Sequence, residues 1–338
     1  MKAEMSSKER FFNLLKGIEA DRPSIINPVS NATSESCGRL GIRFRDVHLD
    51  ADKMAALAAY GAEPIGFDSV MPYFSVVQEA FALGAVIDWG GNETMPDQKG
   101  PLYEDPEQFI LPEDFLNRPS IRTVLDSIRL LKKKFGDEKV VIGKAMGPWT
   151  LSMHLYGVEN VLVDSLLEPE KLTAFIHQFK KITKTFAAAQ LDAGADMVTI
   201  ADHTTSNLIG PDTYVKFVQP VHKELNREFG EAKFILHCCG RTVDRIAHFA
   251  ESGFSLFHFD SANDIDEAIK MAGKMKLTGC VNDPATLLRG SREDVAAEVR
   301  TILAKGIRIL SPECAIPVQT KNENLMQIVE TAKEFGRK

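Results

Sequence analysis

The chain has 338 residues, 44% of them hydrophobic and 26% charged, with a formal net charge of −7. This is an ordinary globular composition, and an acidic balance without a long basic run argues against nucleic acid as the main partner. No apolar run reaches the ~18 residues of a membrane-spanning helix, and the stretch Met1 to Arg10 has no apolar signal core, so a cytoplasmic location is expected. Five cysteines in a chain of this length do not suggest a disulfide framework. Cys37 and Cys280 sit among apolar or small residues and read as buried thiols.

Ser6-Ser7-Lys8-Glu9 is a capping box opening a helix that carries Phe11, Phe12, Leu14 and Leu15 and closes at Gly17. Ser24 to Pro28 is the first strand candidate, Asp52 to Tyr60 a helix, and Gly66 to Val70 the second strand. Val86 to Pro119 is irregular and rich in Gly, Pro and acids, so a long excursion over the fold with a small hairpin is expected near residues 86–119. Ile121 to Phe135 returns to helix, with Lys132, Lys133 and Lys134 in its last turn, where cations suit the helix dipole.

From there strands and helices alternate. Val140 to Gly143 is a strand, followed by the turn Met146-Gly147-Pro148-Trp149 and a helix. Leu172 to Ala193 is helical, Asp196 to Ile200 a strand, residues 212–229 helical, and Phe234-Ile235-Leu236 a buried strand running into His237-Cys238-Cys239-Gly240. Helix is expected over Thr242 to Glu251, Ile265 to Met271, Glu293 to Leu303 and Asn322 to Phe335. Strands are expected at Gly253 to Phe259, Leu277 to Val281 and Gly306 to Leu310. Eight strands alternating with helices imply a parallel sheet closed into a (β/α)8 TIM barrel, with residues 1–338 as one domain. An open doubly wound sheet is the alternative, disfavoured because no Gly-x-Gly-x-x-Gly turn follows any strand.

In a barrel, the C-terminal strand ends supply the chemistry. Side chains alternate along a strand, so His237 and Cys239 share a face and Cys238 points away. With Cys314, just past the last strand, they form a candidate His/Cys/Cys zinc site with an open fourth position. A buried histidine beside inert thiols fits the same residues. Asp202 and Asp260 follow apolar strands and are candidates to accept a hydrogen bond from the histidine, to be a fourth metal ligand, to touch substrate, or to cap the next helix. Glu79, inside an apolar stretch, is a candidate to reach the barrel mouth. Met146 and Gly147 are expected in the cavity wall, where glycine admits a close neighbour, and are grouped with Asn282 as candidate cofactor-binding positions. His154, His203, His222 and His258 lack a partner pattern and are expected to be structural.

Several stretches resemble the uroporphyrinogen decarboxylase superfamily: Glu9-Arg10 to Pro23, Ile142 to Leu151, Gly194 to Asp202, and Gly279 to Leu287. Leu236 to Gly240 and Leu310 to Pro317 are similar to the His-x-Cys and late Cys of its corrinoid-dependent methyltransferase branch. The decarboxylases' Met-Arg-Gln-Ala-Gly-Arg segment is replaced here by Pro28 to Ser34, which has no arginine.

The resemblance implies zinc on His237, Cys239 and Cys314, and methyl transfer from methylcobalamin or a methyl-corrinoid carrier protein to a thiol such as coenzyme M. Such chemistry belongs to one-carbon metabolism. The alternatives are methyl transfer to tetrahydrofolate, a decarboxylase-type lyase, and a barrel without catalysis. Either a monomer or a homodimer is compatible with the chain.

Overall fold

The computed structural model describes residues 4–336. Eight parallel strands run β1 Ser24–Ile25, β2 Ser69–Val70, β3 Val140–Met146, β4 Met197–Ala201, β5 Phe234–Cys238, β6 Leu256–Phe259, β7 Lys276–Val281 and β8 Ile309–Pro312. Ladder pairing follows the order β1-β8-β7-β6-β5-β4-β3-β2, so seven seams carry regular parallel ladders. The eighth, between β1 and β2, is closed differently. The Asp68 N–H donates to the Ile25 carbonyl (2.6 Å), the Ile25 N–H to the Asp68 carboxylate (2.9 Å), and the Asn27 N–H to Ser69 Oγ (3.0 Å). The fold is the expected TIM barrel.

Strands of a closed parallel barrel are covered on both faces, and every residue of β3 is buried. The expected hairpin lies in the excursion, pairing Ile87–Asp88 antiparallel with Asp97–Gln98. Ser6 caps the helix Ser7–Leu15 by accepting from the Glu9 N–H at 3.1 Å. The long helix is Pro169–Asp192 and the last is Asn322–Gly336.

Three features depart from the sequence-based expectation. The second strand starts at Ser69, not Gly66, because Gly66 takes a left-handed conformation (φ 98°) at the end of a wide helical turn, Gly61–Ile65. A helix, Ser34–Leu40, follows the first strand, capped by Thr33 and ended by left-handed Gly41. Another, Val158–Leu167, separates Pro148–Leu155 from the long helix. No helix among the described residues is long and apolar enough to cross a membrane.

Candidate active site

β5 ends at Cys238, and its inward face continues from His237 to Cys239. Cys314 arrives two residues beyond β8, carried on the Pro312-Glu313-Cys314 turn. Glu313 fixes that turn. Its carboxylate accepts from the Asp283 N–H at 2.9 Å and the Ser261 N–H at 3.0 Å, and its own N–H donates to the Val281 carbonyl at 2.9 Å. One buried glutamate thus ties the ends of β6, β7 and β8 together behind Cys314.

The three donor atoms converge. His237 Nε2 lies 3.1 Å from Cys239 Sγ and 3.6 Å from Cys314 Sγ, and the two sulfurs are 2.7 Å apart. All lie within 4.8 Å of one another. The sulfur separation is too long for a disulfide, whose S–S bond is about 2.05 Å. The hydrogen bond from Cys239 carries the Cys314 thiol well below its usual range, helped by His237. That same bond, together with burial and the Cys314 charge, pushes Cys239 up.

Cys238 points the other way, with Sγ 3.7 Å from Thr204 Oγ1, and burial raises its thiol to about 12. His258 lies under His237, ring centroids 4.6 Å apart, and donates through Nε2 to the Pro312 carbonyl (2.7 Å). Burial holds His258 well below the usual imidazole range, so it is neutral.

A cavity of about 380 Å³ opens above this triad. His237, Cys239 and Cys314 line it together with the apolar side chains Phe74, Val76, Met95, Met146, Met153 and Val158. Lys144, Asp202, His154 and His203 line it too. The two histidines expected to be structural therefore face the cavity, brought there from the helix Pro148–Leu155 and the turn after β4. Burial lowers His154 to about 4, leaving it uncharged at neutral pH.

The carboxylates are placed as follows. Asp202 does not accept from His237. Its Oδ1 takes the Thr150 N–H (2.7 Å) and its Oδ2 faces His222 Nε2 (2.9 Å). His222 Nδ1 in turn meets Tyr214 Oη at 3.0 Å, and Tyr214 Oη lies 3.1 Å from Ser252 Oγ. Asp260 does not reach His237 either. It accepts from the Gly240 and Ala262 N–H groups, both at 2.8 Å, and so braces the backbone next to Cys239. The His237 Nδ1 atom is buried without a hydrogen-bond partner among the described residues.

Glu79 lies behind the cavity wall. It accepts from the Met146 N–H at 2.9 Å and from the Tyr73 hydroxyl, and burial raises its carboxyl above the usual range. Gly147 is not in the wall. A Cβ there would fall 2.2 Å from Asp202 Cγ, so the close neighbour that requires glycine is a carboxylate. Asn282 also lies off the cavity, capping the turn Asp283–Leu287 and donating to Ser261 Oγ at 2.8 Å. Sequence reasoning missed the cavity positions of His154 and His203 and the bracing role of Glu313, whereas Lys144 lines the cavity where its place near the end of an apolar strand puts it. For Lys144 a signal existed, since a lysine within the apolar strand Val140–Met146 needs a partner or a ligand.

A closed parallel barrel with an imidazole and two sulfurs gathered at its C-terminal mouth, over a largely apolar cavity, defines a class of barrel enzymes built for a thiophilic centre. The chain belongs to the uroporphyrinogen decarboxylase (URO-D) family, whose match covers residues 6–335. It is 29% identical over 337 residues to a methylcobamide:CoM methyltransferase of Methanosarcina acetivorans, covering 98% of this chain and 99% of that one. Identity is also 29%, over 335 residues, to a methylated-thiol–coenzyme M methyltransferase of Methanosarcina mazei, covering 99% of this chain and 91% of that protein. Among solved structures, a methyltransferase from Methanosarcina mazei superposes with a TM-score of 0.93 at 27% identity, covering 98% and 99% of the two chains. The chain is an enzyme, a methyltransferase of this family.

Proposed function

We propose that the chain is a zinc-dependent methyltransferase that moves a methyl group from a methylated corrinoid to a thiol acceptor such as coenzyme M. In this reading residues 1–338 work as one barrel domain. The observation that carries it is the convergence of His237 Nε2, Cys239 Sγ and Cys314 Sγ at the cavity mouth. One imidazole and two thiolates are zinc's preferred donors, and three protein ligands leave a position for substrate. The donor set fits in detail. Nε2 faces the sulfurs, one sulfur is already drawn toward thiolate, and the neutral His258 beneath adds no competing charge. A zinc ion held there would favour the thiolate form of an incoming sulfur, and its two anionic ligands would keep that sulfur electron-rich.

The chain's own residues do the rest. Phe74, Val76, Met95, Met146 and Met153 keep water from the acceptor sulfur, so its lone pair is not tied up in hydrogen bonds. Asp260 and Glu313 fix the two cysteine-bearing turns. Asp202 holds the start of the helix Pro148–Leu155, and Glu79 anchors the Met146 backbone under the wall. In the transfer, the acceptor sulfur forms a bond to the methyl carbon as the cobalt–carbon bond breaks, its electron pair staying on cobalt and taking Co(III) to Co(I). The acceptor's thiol proton is released on binding. The relatives' names, methylcobamide:CoM and methylated-thiol–coenzyme M methyltransferase, support both the donor class and the acceptor. A corrinoid held on a carrier protein is the expected partner. Five free cysteines suit a reducing, cytoplasmic setting.

Porphyrinogen decarboxylation is disfavoured, because among the described residues no arginine lines the cavity to hold a polycarboxylate. The test is to incubate zinc-loaded protein with methylcobalamin and 2-mercaptoethanesulfonate and follow the methyl–cobalt absorbance. Thiol-dependent demethylation is expected. Zinc-loaded protein that leaves methylcobalamin intact with every thiol offered would refute the proposal.

A further inference from the structure

Lys144 is the one lysine or arginine among the described residues lining the cavity. It is 1% exposed, and no carboxylate lies within ion-pairing distance of its ammonium among the described residues. Its contacts are one long hydrogen bond to the Val29 carbonyl (3.4 Å) and the face of the Tyr73 ring (4.4 Å). A buried lysine is seldom left so poorly partnered.

The ladder register shows where it sits. Met146, Ala201 and His237 stand at one level across β3, β4 and β5. Lys144 is two residues deeper and on the same face as Met146, since side chains two apart share a side of a strand. It therefore borders the same space as the thiolate–imidazole triad from below. Among the described residues the other lining groups able to carry positive charge are imidazoles, of which His154 is uncharged at neutral pH. Burial lowers the Lys144 ammonium to about 7, against the raising influence of Glu79, Cys314 and Cys239. An anion docking on it would restore the full charge.

Resting on the methyl-transfer reading above, we propose that Lys144 is the seat for a terminal oxyanion, sulfonate or carboxylate, on a short thiol acceptor whose sulfur faces His237, Cys239 and Cys314. The aromatic face of Tyr73 holds the ammonium in place from one side, and the acceptor's anion completes its coordination from the cavity. Selection among thiols then depends on charge as well as size. Neutral thiols leave a buried cation unpaired, whereas anionic ones pair it.

The experiment separates this subsite from the chemistry by using probes that carry no thiol. Ethanesulfonate, propionate and ethanol are titrated by calorimetry into wild type, Lys144→Met and Lys144→Gln, without metal or methyl donor. Thermal melts of each variant verify folding. Wild type is expected to bind ethanesulfonate or propionate in preference to ethanol, the stronger of the two anions identifying the acceptor's headgroup. Both variants are expected to lose at least tenfold in anion affinity while retaining the wild-type melt. Equal anion binding by folded Lys144→Met, or no preference of wild type for either anion over ethanol, would overturn the proposal. Because the readout is binding of a thiol-free anion, its failure is distinguishable from a failure of methyl transfer. Demethylation of methylcobalamin that is equally fast with 2-mercaptoethanol and with 2-mercaptoethanesulfonate would leave the reaction standing and remove the anion seat.

Discussion

Asp68→Ala tests how the barrel is closed. Asp68 is fully buried and accepts from Arg10 (3.0 Å), from both terminal nitrogens of Arg22 (2.9 Å each), from Ser7 Oγ (2.6 Å) and from the Ile25 N–H (2.9 Å). Burial opposes its ionisation, yet the Arg22 hydrogen bond and the charges of Arg22 and Arg10 carry its carboxyl below the usual value. Removing it leaves the buried Arg22 guanidinium without a carboxylate at the one seam that lacks a regular ladder, while Arg10 keeps Asp21. Deleting one partner of a buried ion pair costs about 3–5 kcal/mol. With an unfolding entropy of ~2.1 cal/mol/K per residue, that cost over 338 residues lowers Tm by roughly 4–7 °C.

Calorimetric melts of wild type and variant measure this directly. The pH dependence has a definite sign. A carboxylate with a depressed folded pKa stabilises above its unfolded value of ~3.9 and loses that contribution as pH falls through the folded one. The gap between wild type and variant should therefore be level from about pH 5 to 8 and narrow only below about pH 4. A loss under about 1 kcal/mol, typical of exposed pairs, or a gap that narrows already near neutrality, would refute the reasoning.

Gly147→Ala should destabilise by about 1–3 kcal/mol through overpacking, since its Cβ would lie 2.2 Å from Asp202 Cγ. A denaturant titration showing a neutral effect would mean that Asp202 moves freely. Thiol alkylation of folded, metal-free protein should label Cys314 first, with its half-buried partner Cys239 following once the hydrogen bond between them is lost, and spare the buried Cys37, Cys238 and Cys280. Burial raises the last three, Cys37 to about 11 and Cys238 to about 12. Added zinc should protect the first pair, and peptide mapping of the labelled sites checks both statements.

The barrel was legible because its physics is local. Apolar runs such as Phe234 to Leu236 and the alternating helices need no knowledge of the rest of the chain. Two members of the candidate metal triad were legible for the same reason: strand parity puts His237 and Cys239 on one face and turns Cys238 away. What failed was whatever depends on partners distant in sequence. Asp202 takes a helix-capping role among those open to it and lines the cavity, but its pairing with His222 on the helix Gln219–Phe229 is one that no spacing rule reveals. Lys144 meets the Val29 carbonyl, 115 residues away, a contact that its own strand could not reveal. The helix Ser34–Leu40 escaped notice although Thr33 and Gly41 are good boundary signals. Its inward face offers chiefly Ser36 and Cys37, too little apolar surface to produce a periodic pattern.

The most direct test is the zinc content of wild type, Cys239→Ser, Cys314→Ser and Cys238→Ser, all purified without chelator and verified as folded by circular dichroism. Wild type and Cys238→Ser should each retain one zinc per chain, and the other two variants should lose most of it together with thiol-dependent demethylation of methylcobalamin. A folded wild type free of metal, or Cys239→Ser and Cys314→Ser proteins that keep both zinc and activity, would contradict the account.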